Sequence, residues 1–285
     1  MNTNKTLDKG TICRVRNLGE DYFSGDFTIP SGAVVDVPEK KANQLLQDFP
    51  KNWQRVETVK VDKDALIKKA DLVMIVHDSR GLEVCLDSLY ANTPKGFNLT
   101  VVQNKNDDAK EYRMTAMLLG KKAKKYGFKV IKADKNQSYA ANCNLGAKQG
   151  DRQYLVILNS DLEFIDREWL GEVLAQLTID GVALAGPELY DRKGGKFSRL
   201  REYWICGACF AVKRSVFYEL SGFDENYRLY WEETDFCEAA HRLGYRAAVV
   251  EVKVTHDYKY KYDQPFHIKA FKDGEAYFNK KWGVV

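Results

Sequence analysis

Three small polar residues end a run of apolar residues near the middle of the chain. Tyr154 to Leu158 are apolar without alternation, and Asn159, Ser160 and Asp161 follow them directly. Such a run is typical of a strand buried on both faces of a parallel sheet, and ligands bind beyond the carboxyl ends of such strands. Asp161 therefore has the position of a carboxylate that could hold a divalent metal against a phosphate-bearing ligand. Taken alone, the triplet is more often a polar turn.

Two adjacent glutamates, Glu232 and Glu233, form a second candidate site for chemistry. Apolar residues recur at helical spacing after Thr234, which predicts a helix capped by Thr234 or Asp235 with both glutamates just before it. The helix dipole would favour their ionised form by about 0.3–1 kcal/mol, and an ionised carboxylate at a cleft can take a proton from an attacking hydroxyl. The same acids could equally serve only to complement the helix end.

A single histidine, His256, follows the last predicted strand, which runs from Ala247 to Val254. Its place after a strand would allow the imidazole to reach the same cleft as Asp161, because ligands collect at that edge of a sheet. For a lone histidine, a structural role is the commoner one.

Strands and helices alternate from about residue 70 onward. The predicted strands are 72–76, 99–102 and 128–131, and the predicted helices are 82–90, 109–126 and 139–149. This alternation favours an α/β fold built of βαβ units, with a mostly parallel sheet, helices on both faces and right-handed crossovers. A strand at 203–212 and a short helix at 215–220 follow, and an aromatic and basic tail at 258–282 could cover the site, contact an acceptor or pack on the surface.

Polar side chains follow three of these strands at one edge of the predicted sheet. His77 and Asp78 follow the first strand, Gln103 and Asn104 the second, and Asn159 the third. One cleft could therefore collect them. The chain has no G-x-G-x-x-G after its first strand of this region and no G-x-x-x-x-G-K-[ST], which argues against a dinucleotide-dependent dehydrogenase and a P-loop enzyme.

The first 60 residues have a different pattern, with short apolar stretches broken by glycine and proline. This pattern predicts a small β-rich module at 1–60 with one helix from Pro38 to Leu46. A polar, lysine-rich stretch at 59–70 joins it to the larger domain, 61–285.

Composition excludes several classes of protein. A net charge of +4 over 285 residues is too small to argue for nucleic acid. No segment approaches the roughly 20 apolar residues of a membrane span, and the first residues lack the apolar core of a signal peptide. The cytoplasm is therefore the expected compartment, and the six cysteines are expected to be small buried residues rather than a zinc or redox site.

In their order along the chain, these stretches resemble inverting glycosyltransferase family 2, especially its rhamnosyltransferase-like members, which have the GT-A fold. The resemblance spans about residues 70–257. Leu158-Asn-Ser-Asp161 is similar to the L-N-x-D form of the D-x-D motif, and 222–225 with 231–235 are similar to the G-F-D-E and F-E-D-x-D stretches. Residues 136–147 resemble the asparagine-rich helix before the metal motif, and His256 matches the histidine after the last strand.

The resemblance implies a metal-dependent transfer of a sugar from a nucleotide-diphosphate donor, with inversion at the anomeric carbon. Asp161 would bind Mg²⁺ or Mn²⁺ with His256 as a second ligand, and Glu233 would be the general base, with Glu232 as the alternative. The residues expected on the donor side are His77, Asp78, Gln103, Asn104, Asn142, Asn159 and Ser160. The acceptor would be a glycan, a glycoprotein or a lipid-linked molecule.

Two positions depart from the family pattern, and two other functions remain open. Gln103 stands where an aspartate usually contacts the base, and Glu233 stands where the base is usually an aspartate. A catalytically silent module that binds a sugar or a nucleotide is the alternative from another class. A nucleotidyltransferase is the third possibility, but the loop at 78–82 is too short for the glycine-rich loop that it would need.

Overall fold

The computed structural model describes residues 11–17, 19, 22–24, 27–29, 34–191, 201, 203–256 and 264–284. The first ten residues, in which no signal peptide was expected, and the part of the tail at 257–263 lie outside this range. The chain folds into strands β1 Thr11–Asn17, β2 Tyr22–Ser24, β3 Phe27–Ile29, β4 Val34–Pro38, helix α1 Glu39–Asp48 and β5 Trp53–Lys60 at its amino-terminal side.

The amino-terminal elements build a small antiparallel sheet with the strand order β4-β1-β5, beside a two-stranded ribbon of β2 and β3. A separate apolar cluster holds α1 on this sheet, and it includes Cys13, Val15, Leu45 and Trp53. Pro38 is the last residue of β4 rather than the first of a helix, and α1 begins at Glu39. An exposed ion pair joins this part to the rest of the chain, with Lys40 Nζ 2.7 Å from Glu251 Oε2.

The lysine-rich stretch at 59–70 contains a short helix, α2 Lys63–Ile67. The Asp62 carboxylate caps this helix by accepting a hydrogen bond from the Ala65 amide. Leu66 and Ile67 are buried in the main core. The stretch is therefore part of the large domain's packing and not only a connection, because two apolar residues among the lysines are enough to anchor it.

An eight-stranded sheet forms the centre of the larger part, with the order β10-β13-β11-β12-β9-β6-β7-β8. Its strands are β6 Ala70–Val76, β7 Asn98–Gln103, β8 Lys129–Lys132, β9 Tyr154–Asn159, β10 Leu162–Phe164, β11 Val182–Tyr190, β12 Cys209–Lys213 and β13 Arg246–His256. The helices are α3 Leu82–Ala91, α4 Ala109–Tyr126, α5 Tyr139–Ala147, α6 Trp169–Gln176, α7 Arg214–Glu219, α8 Glu232–Arg242 and α9 Pro265–Trp282.

Four neighbouring strands, β9, β6, β7 and β8, are parallel, as the alternation of strands and helices predicts. Alternate residues of β6 enter two different apolar clusters, with Leu72 and Met74 on one face and Val73 and Ile75 on the other. Because both faces of the sheet are covered, a strand here is apolar at every position. The α/β class and the mostly parallel sheet are thus confirmed.

The predicted strand at 203–212 is too long. Residues 203–208 form an irregular loop with turns at 203 and at 207–208, and β12 begins at Cys209. Trp204 and Ile205 do not belong to the sheet. Their apolar side chains pack instead in the cluster that also holds Phe236 of α8. Strands β10 and β11, which lie in the part of the sheet beyond β12, and helix α6 were not predicted from the sequence.

A buried ion pair fixes the edge of the sheet opposite the strand ends. Arg214 Nη2 lies 2.8 Å from Asp71 Oδ2, and both side chains are more than nine-tenths buried. The Arg152 amide donates to the same carboxylate oxygen, and Arg214 Nε donates to the Arg152 carbonyl. The pair therefore joins the starts of β6, β9 and α7.

We expect Arg214→Ala to lower the free energy of unfolding by about 3–5 kcal/mol, because it removes the nearer of the two guanidinium groups that pair with the buried Asp71 carboxylate and leaves only that of Arg152, 3.8 Å away. Urea denaturation followed by circular dichroism measures this change. Arg113→Ala, at an exposed position of α4, is the matched control and should cost less than about 0.5 kcal/mol. Similar values for the two variants would contradict the role given to the pair.

Candidate active site

A cleft of about 720 Å³ opens at the carboxyl ends of β9, β6 and β7. Nearly all of the residues that the sequence singles out line it, on the same edge of the sheet, as the parallel arrangement requires. They are His77, Asp78, Asn104, Asn142, Asn159, Ser160, Asp161, Glu232, Glu233 and His256.

Gln103 is the exception, because the structure does not place it among the residues that line the cleft. Its side chain is fully buried, and its Nε2 donates to the Tyr112 carbonyl of α4, 3.0 Å away. Side chains alternate between the two faces of a strand, so Gln103 packs under α4 while its neighbour Asn104 reaches the cleft. The expected contact between Gln103 and a nucleotide base is therefore wrong.

Asp161 and His256 meet inside the cleft although 95 residues separate them. Asp161 Oδ1 lies 3.2 Å from His256 Nε2, because Leu162 at the start of β10 pairs with His256 at the end of β13. Asn159 Nδ2 is 3.3 Å from the same nitrogen, and the Tyr139 hydroxyl is 2.8 Å from Asn159 Oδ1. These contacts hold a carboxylate oxygen and an imidazole nitrogen side by side.

Gly81 allows the loop after β6 to lie directly against Asp161. Its φ of +71° is in the left-handed region, and a Cβ there would be 3.2 Å from Asp161 Cα. Any larger residue would push on the backbone of the carboxylate. The loop at 78–82, which is too short for the glycine-rich loop of a nucleotidyltransferase, therefore has a different role. It supports Asp161.

The two glutamates lie in the first turn of α8 rather than before it, which corrects the predicted helix start. α8 begins at Glu232, and Trp231 is its capping residue. The predicted effect of the helix dipole is also outweighed. Burial raises the pKa of Glu232 well above its usual range, with the nearby Glu233 as a second cause, and burial likewise raises the pKa of Glu233.

Three side chains at the start of α8 carry a buried polar atom that has no hydrogen-bond partner among the described residues. The atoms are Trp231 Nε1, Glu232 Oε2 and Thr234 Oγ1, and all three residues line the cleft. A buried polar atom without a partner costs about 1–3 kcal/mol. Such a group of atoms in one place indicates where a polar ligand completes the hydrogen bonds.

A network of amides lines the side of the cleft that follows β7. Asn104 Nδ2 donates to Asn136 Oδ1, 3.1 Å away, and the Gln137 amide donates to Asn104 Oδ1. Arg228 Nη2 also donates to Asn136 Oδ1. Asn142 does not point freely into this space, since its Oδ1 accepts from Gln137 Nε2 and its Nδ2 donates to the Ser138 carbonyl.

Several residues that line the cleft were not predicted from the sequence. Arg80, which forms an ion pair of 2.7 Å with Asp78, carries a positive charge into the cleft. Arg228 and Trp204 had no pattern that could have marked them, because each stands alone in a loop. The tail contributes Phe266, His267 and Phe271 of α9 to the lining, which shows that this part of the predicted tail covers one side of the site.

Two features are absent from the described part of the chain. Within those residues there is no group of three or more His, Cys, Asp and Glu side chains that could hold a metal ion. Among the helices formed by the described residues, none has both the length and the apolar character that crossing a membrane requires.

We expect Glu232→Gln to stabilise the folded protein more at higher pH. Because burial raises the pKa of Glu232, the folded state binds more protons than the unfolded state above the ordinary glutamate pKa of about 4.3. The free energy of unfolding therefore falls as the pH rises from there toward the folded-state pKa, and glutamine removes this loss. Thermal unfolding from about pH 5 to about pH 8 measures the difference in Tm between variant and wild type.

Glu275→Gln, which makes the same replacement at an exposed position of α9, is the matched control. A difference in Tm between Glu232→Gln and wild type that stays constant over this pH range would contradict the raised pKa.

Comparisons with known proteins agree with this geometry. Residues 71–252 match the family described as Glycosyl transferase family 2. The O-antigen biosynthesis protein RfbC of Myxococcus xanthus is 25% identical over 181 residues, which are 52% of this chain and 14% of that protein. The chain spans about a fifth or less of the length of the curated relatives that it matches.

Solved structures of glycosyltransferases share the fold. The mannosyltransferase PcManGT from Pyrobaculum calidifontis, solved with GDP-Man and Mn²⁺, has a TM-score of 0.56 at 16% identity over 74% of this chain and 70% of its own. S. aureus TarS 1-349, solved with UDP-GlcNAc, has a TM-score of 0.55 at 17% identity over 67% of this chain and 58% of its own.

These likenesses confirm the GT-A fold, while the rhamnosyltransferase-like subtype stays a prediction. The family match covers more than half of the 285 residues. The chain therefore belongs to glycosyl transferase family 2.

Proposed function

We propose that this protein transfers a sugar from a nucleotide-diphosphate donor to an acceptor hydroxyl, with inversion at the anomeric carbon and with a divalent metal. The observation that carries the proposal is that one cleft contains both the Asp161–His256 pair and the Glu232–Glu233 pair. A binding module would need a pocket for its ligand. It would not need a pair of adjacent glutamates in the same pocket.

Asp161 and His256 fit a divalent metal that the donor shares. One carboxylate oxygen and one imidazole nitrogen, 3.2 Å apart, leave most coordination positions to phosphate oxygens and water, as is usual for metals in nucleotide sites. Mg²⁺ prefers oxygen ligands, so the imidazole favours Mn²⁺ over Mg²⁺. When bound, such a metal supplies positive charge to the leaving diphosphate. PcManGT with Mn²⁺ and GDP-Man supports this assignment.

The amide network and Arg80 are the proposed donor-binding groups. Asn104 and Asn136 present hydrogen-bonding groups beside His77 and Asp78 in the cleft, and they suit the polar edges of a base or the hydroxyls of a ribose. The Arg80 guanidinium gives a positive charge that suits the diphosphate. Asn159 and Ser160 lie next to Asp161 and would contact the same end of the donor.

Glu233 is the proposed general base for the acceptor hydroxyl. Burial raises the pKa of both Glu233 and Glu232, but Glu232 is buried whereas Glu233 is only partly buried. An acceptor hydroxyl in the cleft therefore reaches the Glu233 carboxylate more readily. A base whose pKa is raised toward the working pH transfers protons efficiently, and Glu232 remains the alternative.

The acceptor is proposed to enter beside α8 and α9. Tyr230, Trp231, Phe266 and Phe271 line this side, and aromatic rings suit the apolar face of a sugar. The unpartnered polar atoms of Trp231 and Thr234 lie in the same cleft, where the acceptor hydroxyls would complete their hydrogen bonds. A glycan, a glycoprotein or a lipid-linked sugar would satisfy these features.

Two further assignments belong to the proposal. Residues 1–60 are a separate module and 61–285 are the glycosyltransferase domain, which accords with the separate sheet and apolar cluster of the amino-terminal part. The cytoplasm is the proposed compartment, because the six cysteines, each of them a described residue, form no disulfide with one another, as is usual in reducing compartments.

A thermal-shift panel of nucleoside diphosphates and nucleotide-sugars, with and without Mn²⁺, tests the donor site. A ligand at about 100 times its Kd stabilises the folded state by about 2.7 kcal/mol, which corresponds to a rise in Tm of several degrees. We expect one nucleotide class to give this shift only with Mn²⁺, and we expect Asp161→Ala to abolish it.

Asp151→Ala is the matched control and should keep the shift. Asp151 is exposed and precedes β9, at the end of this strand that is away from the cleft. If no nucleotide stabilises the wild type at millimolar concentration, the donor site is wrong and a catalytically silent module becomes the better explanation.

Glu233→Gln should lower the turnover of the nucleotide-sugar by about 10²–10⁴-fold, because it removes the proton acceptor. The nucleotide-dependent thermal shift should remain. Release of the nucleoside diphosphate measures turnover, and in the wild type it should fall as the pH drops through the raised pKa of Glu233, since the base must be ionised. A larger loss in Glu232→Gln than in Glu233→Gln would exchange the two roles.

A further inference from the structure

The turn directly before the two glutamates has an unusual backbone. Tyr230 and Trp231 have φ values of +68° and +73°, and both therefore lie in the left-handed region that large side chains seldom adopt. Two consecutive residues of this kind persist only where surrounding contacts hold them. Because α8 begins immediately after them, they set the direction in which Glu232 and Glu233 leave the chain.

Helix α9 makes those contacts. At Gly274 a Cβ would be 2.9 Å from Trp231 Cδ1 and 3.2 Å from the Tyr230 carbonyl oxygen, so the helix backbone lies directly on the turn. The rings of Phe271 and Phe278 pack on Trp231, with centroids 5.4 and 5.2 Å away. The helix and the turn thus fit closely only because position 274 has no side chain.

The same helix holds the first turn of α8 at a second point. The Asp235 carboxylate accepts hydrogen bonds from Lys281 Nζ at 2.9 Å and from Trp282 Nε1 at 2.8 Å. Asp235 is buried, so this contact is shielded from water. The two donors from α9 lie at the end of that helix that is far from the cleft, and the Tyr227 hydroxyl is a third donor to the same carboxylate.

We infer that α9 positions Glu233 for proton transfer by holding the left-handed turn at Tyr230 and Trp231, and that Gly274 is the positioning residue that makes this contact possible. The inference rests on the proposed role of Glu233 as the base. None of Gly274, Lys281 and Trp282 is among the described residues that line the cleft, so each acts through the turn or through Asp235 and touches no substrate.

Gly274→Ala tests this inference, with Gly120→Ala as its matched control. Both glycines lie inside helices of 18 residues, but at Gly120 a Cβ would meet no described atom within 4 Å. We expect Gly274→Ala to lower kcat for nucleotide-sugar turnover at least tenfold, with the donor KM and the Mn²⁺-dependent thermal shift within about twofold of wild type. Gly120→Ala should leave kcat unchanged.

A second readout does not depend on turnover. In protein labelled with ¹³C at the glutamate carboxyl carbon, NMR follows the titration of Glu233, and Glu233→Gln assigns its signal. Gly274→Ala should shift this titration and Gly120→Ala should not. If wild type shows no nucleotide binding, the proposed function fails, while this titration still decides whether α9 sets the environment of Glu233.

Trp282→Phe decides the matter if Gly274→Ala does not fold. It keeps an aromatic ring and removes only the hydrogen bond to Asp235, and we expect a smaller fall in kcat, about three- to tenfold, again with an unchanged donor KM. Unchanged kcat, pH profile and Glu233 titration in the folded variants would overturn the inference and leave α9 as a packing element only.

Discussion

The cost of burying carboxyl groups in one cleft is the constraint on which the site depends. Asp78, Asp161, Glu232 and Glu233 line the same cleft, and a carboxylate held away from water is costly to ionise. The protein meets this cost in two ways. Asp78 and Asp161 lie beside cationic or imidazole groups, while burial raises the pKa of both glutamates. The two aspartates and the two glutamates thereby acquire different chemistry, although all four side chains are carboxylic acids.

Much of the proposed donor side of the site could be predicted because each of its residues at the sheet edge followed the end of its own strand. The parallel order of β9, β6 and β7 brings His77, Asn104 and Asp161 to one edge, and the apolar runs were enough to locate those strands. The same logic failed by a single position at Gln103, since the last residue of a strand and the next one face opposite sides. β10, α6 and β11 were missed, and the apolar loop at 203–208 imitated a strand.

Contacts between distant parts of the chain could not be predicted in this way. Gly81 lies against Asp161, and Gly274 lies against Trp231, but neither glycine belongs to a motif that names its partner. The start of α8 was misplaced for a related reason. Tyrosine and tryptophan have no local preference for left-handed backbone, so only the packing of α9 explains why Tyr230 and Trp231 adopt it.

The left-handed turn also bears on how the protein responds to heat. The free energy of local unfolding differs across a fold, and a helix packed on the surface of the protein unfolds before a sheet that is buried on both faces. When α9 lifts from Tyr230 and Trp231, the turn is free to relax to a common backbone conformation, and the acids at the start of α8 turn with it. Catalysis would then stop while the eight strands are still paired. The temperature at which activity is lost would thus depend on how strongly α9 packs on the turn, while the melting temperature would depend on the sheet.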